Sequence, residues 1–249
     1  MKEILLMGCG EVGTAIKQLE EESGNKVSII DPTIAPGSDT AFLGRLFDVT
    51  HVCIPFSDKF VQNVQDCVKT HPTGLVIIHS TNAVGVTNKI KKGMPRIPVV
   101  HSFIRGVHPN LYNGLKTFEK PVGGERNDAF KACEHLESIG IIPYWCGKAE
   151  VSELSKILST TYYGWNILFA KQANLLCRKF GLDYNEVYKY PNEIYNAGYK
   201  KLGMEHVMRP VLYPPKGKIT GHCVSQNFEL LPNSKLKRIC KKINESEEL

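Results

Sequence analysis

The stretch that most limits what this chain can become lies at its start: EILLMGCGEVGTAIKQLEEESGNKVSIID, residues 3–31. ILLM is a short apolar run of strand character. GCGEVG follows with glycines at 8, 10 and 13, and TAIKQLEEE places Ala15, Ile16 and Leu19 at helical spacing. VSIID then reads as a second buried strand ending on Asp31. Strand, glycine turn, helix, strand and acid in that order form a nucleotide-binding unit in which each part has a physical task. Gly8 permits the tight turn, Gly10 lets the backbone approach a pyrophosphate, and Gly13 lets helix and strand close on each other. Glu11 and Val12 open the helix, whose free N–H groups face the phosphates. Asp31, 18 residues after Gly13, is placed to accept from a ribose 2′-hydroxyl. A carboxylate there repels a 2′-phosphate, so the expected cofactor is NAD.

The alternation continues. THVCIPF (50–56) is expected as a strand that runs into a loop carrying Pro55. SDKFVQNVQDCVKT is an amphipathic helix, GLVIIHST (74–81) a strand, AVGVTNKIKKG a short helix or turn, and IPVVHSF (97–103) a further strand. KPVGGE (120–125) is a weaker strand, NDAFKACEHLESIG a helix and IIPYWCG a last strand. Strands alternating with helices predict a parallel sheet with right-handed crossovers. The fold class expected is therefore α/β: a Rossmann-type parallel sheet over residues 1–147, followed by a small all-helical domain over 148–249. Pro55, Ser80 and Thr81 lie at strand ends on the expected cofactor side. His101, Arg105 and His108 form a polar-basic group after IPVV, where α/β proteins bind ligands. Arg105 suits a carboxylate or phosphate.

The second half opens on EVSELSKILSTTYYGWNILFAKQANLLCRKF, 150–180, a long helix with no proline, which Ser152 helps to start. At about 1.5 Å per residue such a helix spans roughly 45 Å. Leu154, Ile157, Leu158, Tyr162, Trp165, Leu168, Phe169 and Leu176 give it an apolar stripe wide enough for more than one partner. The aromatic residues Tyr162, Tyr163 and Trp165 read as core or dimer interface. Shorter helices follow. A Pro/Gly loop then delivers TGHCVSQNFELL, with Cys223 at its turn.

Composition narrows the class of partner. With 42% hydrophobic and 22% charged residues among 249, the chain has material for a sizeable core. A formal charge of +6 suits an anionic cofactor or substrate, but there is no basic block with interleaved aromatics, and nucleic acid is not expected. No apolar run approaches the roughly 20 residues that span a bilayer. None of the eight cysteines forms a CxxC pair, so no metal site is expected. Free thiols in the cytoplasm are the reading.

Three stretches carry a family resemblance. HSTNAVGVTNKI (79–90), SELSK (152–156) with the helix after it, and GHCVSQNFELL together resemble the UDP-glucose/GDP-mannose dehydrogenases, within the 6-phosphogluconate dehydrogenase-like superfamily. The resemblance implies homodimerisation through the long helix, Lys156 and Cys223 as catalytic groups, and a substrate site between the two domains. The match is incomplete. The family's Lys-Asp pair after the Cys loop is Gln226 and Asn227 here, Thr160 stands at an Asn position, and the family's Glu has no evident counterpart. Only 26 residues follow Cys223, so the family's further nucleotide-sugar domain is expected to be missing. Thr160 and Asn227 are then substrate contacts. The leading expectation is an NAD-dependent oxidoreductase working on a hydroxyl of a small anionic or sugar-like substrate, with Lys156 as acid/base. A Cys223-dependent nucleotide-sugar dehydrogenase and a non-catalytic NAD-binding protein are the alternatives.

Overall fold

The computed structural model describes residues 1–34, 38–106, 109–219 and 222–245, with the side chains at 38, 39, 222 and 223 left aside. Contacts divide the chain into two compact units, Met1–Lys156 and Ile157–Leu249. The division falls inside the long helix rather than before it.

The first unit is a seven-stranded sheet with helices on both faces. Its elements in chain order are β1 (Glu3–Met7), α1 (Glu11–Glu22), β2 (Lys26–Ile30), α2 (Ser38–Ala41), β3 (Val49–Val52), α3 (Phe60–Thr70), β4 (Val76–Ile78), α4 (Val86–Gly93), β5 (Val99–His101), α5 (Leu111–Thr117), β6 (Lys120–Gly123), α6 (Arg126–Ser138) and β7 (Pro143–Gly147). Strand order is β2-β1-β3-β4-β5-β6-β7. Because β2 and β3 flank β1 on opposite sides, the chain reverses its winding there and leaves a crevice beyond the strand C-termini. Alternate residues of the strands feed two cores. Leu6, Ile77 and Val100 meet Ile16, Leu19 and Leu136 on one face. Leu5, Val52 and Ile78 meet Phe60, Val64 and Ile90 on the other.

One strand departs from the predicted parallel pattern. β6 runs antiparallel to β5, with His101 opposite Gly123. A parallel return needs a crossover to the far edge. The 102–119 link stays at the end of the sheet where β5 finishes, so β6 starts beyond that end and runs back until Gly123 pairs with His101. THVCIPF is also shorter as a strand than predicted, since β3 ends at Val52 and Cys53–Phe56 belong to the loop.

The long helix α7 (Ala149–Lys179) begins one turn ahead of Ser152 and belongs to both units. In the second unit come a π-helical turn at Asn185–Lys189, α8 (Tyr190–Lys201), α9 (His222–Leu230) and α10 (Lys235–Glu245). Gly164 explains how α9 lies close to α7. A Cβ on Gly164 would fall 2.5 Å from Val224 and 2.7 Å from Phe228. Ile157, Leu168, Val224, Phe228 and Cys240 form the core there. The predicted apolar stripe of α7 splits: Ile157 and Leu168 are buried, whereas Tyr162, Phe169 and Leu176 are exposed.

Candidate dinucleotide site

The glycine turn sits at the switch point between β1 and β3. Gly8 has φ +89° and donates its N–H to the Ile30 carbonyl at 2.9 Å. A Cβ there would meet the Cys53 carbonyl carbon at 3.0 Å, and one on Gly13 would lie 2.1 Å from the Gly8 oxygen. Those two glycines are demanded by packing. Gly10 is different, because nothing lies within 4 Å of where its Cβ would be. It is also the N-cap of α1 and supplies no side-chain cap. The first N–H groups of α1, at Glu11, Val12 and Gly13, therefore begin at an open approach with the positive end of the helix behind it, as a pyrophosphate requires.

Asp31 follows β2 on the same edge. Its Oδ2 accepts the Cys9 N–H at 2.8 Å, and its Oδ1 accepts the Thr33 N–H at 2.9 Å and hydroxyl at 2.6 Å. The Cys9 N–H first, then the Thr33 hydroxyl, hold this carboxyl below its ordinary value against the opposing effect of burial. An ionised Asp31 thus ties the glycine loop to β2, at the end of β2 where a ribose would lie. These residues fit a dinucleotide lacking a 2′-phosphate.

Beyond β3 and β4, Pro55 is exposed and Thr81 half-buried. Ser80 is nearly enclosed, and its hydroxyl donates to the Ile54 carbonyl at 2.6 Å. It braces the β3 loop that carries Pro55.

After β5 the backbone carbonyls of three successive residues meet cations. Lys120 Nζ donates to Ser102 at 2.6 Å and to Phe103 at 2.9 Å. Lys156 Nζ donates to Ile104 at 3.0 Å and lies 5.7 Å from the Phe103 ring centre. Arg105 comes next, exposed, with its guanidinium on the Glu119 carbonyl at 3.1 Å. Lys120 is only 3% exposed, and burial, with Lys156 and Arg105 adding to it, pushes its ammonium well below the usual lysine range. Arg105, as the exposed cation here, suits a negatively charged ligand.

The SELSK motif proves to be a three-pronged clamp. Ser152 meets His101 Nδ1 at 2.8 Å. Glu153 accepts the Gly85 N–H at 2.6 Å and the Thr87 N–H and hydroxyl at 2.8 and 2.7 Å. It thereby caps α4, whose own N-cap is glycine. Lys156 holds Ile104 as described. The first turns of α7 are fastened to the loops after β4 and β5, which is why the unit boundary lies beyond them.

His101 is corrected as a substrate contact. It is fully buried, with Nε2 on the Ser80 carbonyl at 3.1 Å and Nδ1 on Ser152. A carbonyl only accepts, so Nε2 carries the proton, and burial drives the ring pKa down to about 3. His101 links β5, β4 and α7. His108 lies outside the described residues. In the second unit Thr160 is half-buried on α7 and Asn227 is buried on α9. Cys223 falls in the first turn of α9, and its side chain lies outside the described part. The sequence reading missed Lys120, Glu153 and Ser152 in these roles. The available signal was a lone Lys starting an otherwise apolar-and-glycine strand.

Fold and site together define a Rossmann-type dinucleotide-binding architecture with a helical extension. No protein-family model matches the chain. Among curated proteins it is 26% identical over 222 residues to the UDP-N-acetyl-D-mannosamine dehydrogenase of Methanocaldococcus jannaschii, a match covering 80% of this chain and 48% of that protein. Of solved structures, the UDP-D-ManNAc dehydrogenase of Pyrococcus horikoshii superposes with a TM-score of 0.73 at 20% identity, covering 98% of this chain and 68% of that one. The 3-hydroxyisobutyrate dehydrogenase of Mycobacterium tuberculosis gives 0.70 at 16%, covering 97% and 92%. The chain spans about half the length of the curated relative, and its resemblance is to the sugar-nucleotide dehydrogenases.

Proposed function

We infer that this protein is an NAD-dependent oxidoreductase that interconverts a hydroxyl and a carbonyl on a small anionic or sugar-like substrate. The observation that carries the reading is the open N-terminus of α1 at Gly10, at the switch point, with Asp31 held ionised beside it. The relatives support it, since both structural neighbours and the curated match are named as dehydrogenases. Bound nicotinamide takes or returns a hydride. The chain's part is to hold the dinucleotide by the α1 N–H groups and Asp31, to attract the anion with Arg105, and to move the hydroxyl proton at Lys156 Nζ. A Cys223 thiolate route is the second reading, favoured by its place in the first turn of a helix, where a thiolate is stabilised.

The exposed Tyr162, Phe169 and Leu176, spaced at sevens along α7, support a homodimer. The seven described cysteines are all free, which supports a cytoplasmic setting. No described helix is long and apolar enough to cross a membrane.

Calorimetric titration with NAD, NADH and NADPH tests the cofactor. The expected result is binding of the first two with NADPH at least about tenfold weaker; no binding of any of them removes the enzyme reading. With hydroxy-acid and sugar substrates, Lys156→Met is expected to abolish nicotinamide turnover and leave NAD affinity intact. Cys223→Ala separates the routes, being tolerated by the Lys156 chemistry and lethal to the thiolate one.

A further inference from the structure

A second polar cluster lies inside the first unit, in the core between the sheet and helices α1 and α6. Glu20 of α1, His51 of β3 and His135 of α6 are 0%, 0% and 2% exposed. Glu20 Oε1 is 2.7 Å from Nε2 of both histidines, and the two Nε2 atoms are 3.3 Å apart. Outer partners hold each group. Asn25 donates to Glu20 Oε2 at 2.6 Å, His79 Nε2 meets His51 Nδ1 at 2.8 Å, and Lys2 Nζ meets His135 Nδ1 at 3.2 Å.

The hydrogen bonds fix where protons sit. His79 Nδ1 faces the Ser102 carbonyl at 3.0 Å, which can only accept, so Nδ1 carries the proton. In neutral His79, Nε2 then accepts, and His51 Nδ1 must donate to it. Neutral His51 is left with a bare Nε2 lone pair aimed at the Glu20 carboxylate. Two acceptors face each other at 2.7 Å in a dry core, and a cation must lie between them.

We propose that Glu20, His51 and His135 form a buried site for a divalent transition-metal ion of the zinc class, which pins α1, β3 and α6 together. Three donors, two imidazole nitrogens and one carboxylate oxygen, match the ligand preference of zinc, with a water carried in by the ion completing four. The geometry is close already. Tetrahedral ligands bonded at about 2.0–2.1 Å stand about 3.3 Å apart, the spacing of the two Nε2 atoms. Only the carboxylate oxygen has to draw back. His79 on His51 and Asn25 on Glu20 are the outer-shell partners that such ligands require. One outer partner opposes the ion. The Lys2 ammonium needs a lone pair on His135 Nδ1, which leaves the proton on Nε2. On binding, the His135 proton moves from Nε2 to Nδ1 and Lys2, half-buried at the surface, turns away. In the metal-free protein the cation shared by His51 Nε2 and Glu20 is a proton, and the incoming ion displaces it to solvent.

Lys2 therefore supplies a test that leaves the core unaltered. Chelator-treated full-length protein is titrated with Zn2+ and Co2+, with Mg2+ as control, by calorimetry and by Co2+ visible absorption. Expected are one ion per chain, a tetrahedral Co2+ spectrum without thiolate charge-transfer bands, and a higher thermal midpoint with Zn2+. Lys2→Gln, whose amide oxygen can accept from His135 Nδ1–H, is expected to bind about tenfold tighter, and His135→Ala to lose the spectrum. Thiolate bands would place the ion on cysteines and overturn the proposal. So would absence of uptake in both the wild type and Lys2→Gln, which would show that the proton on the Glu20–His51 pair is the only cation the core takes.

Discussion

Gly10 and Gly13 stand three positions apart and respond oppositely to a methyl group. At Gly13 a Cβ would lie 2.1 Å from the Gly8 oxygen, whereas at Gly10 it would meet nothing within 4 Å. Gly10→Ala is therefore expected to keep the wild-type thermal midpoint and lose at least about tenfold in NAD affinity, because the methyl fills the pyrophosphate approach. Gly13→Ala is expected to lower the midpoint itself, by forcing α1 away from β1. Equal melting of the two variants would contradict this. Asp31 adds a pH dependence. Its folded pKa lies below the unfolded one, so its contribution to stability is present above the unfolded value near 4. It is lost as pH falls through the folded value. In acid titrations followed by circular dichroism, Asp31→Asn is expected to narrow the gap to wild type as pH drops below about 4. GCGEVG and Asp31 were legible in the sequence because chain-local geometry fixes their tasks. That Asp31 also grips the Cys9 N–H was not, since β2 must first lie beside β1.

Among elements, α4 shows how a helix can depend on another segment for its start. Its N-cap is Gly85 with φ +88°, and its capping oxygens come from Glu153, 66 residues from Thr87. Burial raises the Glu153 pKa above its usual value, against the three donors that favour the ion. Glu153→Ala leaves enclosed N–H groups unmet and is expected to cost about 2–3 kcal/mol in urea unfolding. A change within about 0.5 kcal/mol would mean that water replaces the cap. SELSK was read from sequence as a helix start and one functional lysine. Its Ser152 and Glu153 prongs could not be, because their partners lie on strands and loops far along the chain. A weaker local sign existed at Glu20. It comes four residues after Ile16 and so shares the apolar face of α1, where an acid signals a buried partner.

At the scale of the whole molecule the exposed stripe of α7 is the open feature. Tyr162 is 66% exposed, Phe169 56% and Leu176 58%, large side chains on one face of the helix. A dimer of the 27.9 kDa chain is expected by sedimentation equilibrium, and Phe169→Glu is expected to shift it to monomer with helicity retained. A monomeric wild type would leave the stripe to some other cover. The stripe was visible in the periodicity, but its division into a buried and an exposed face was not. Helical spacing alone does not tell which side α9 covers, and Gly164 decides that by admitting Val224 and Phe228.

Periodicity and the glycine turn by themselves determined the α/β unit, the alternation of its main strands and helices and the tight glycine loop after β1, because these depend on interactions between residues near in sequence. Tertiary structure alone decided the antiparallel return of β6, the lysines beneath the 102–104 carbonyls, the enclosure of His101 and the meeting of Glu20, His51 and His135. Each of these depends on burial and on contacts across dozens of residues, where removal from water makes a polar group find its partner wherever the fold has brought one.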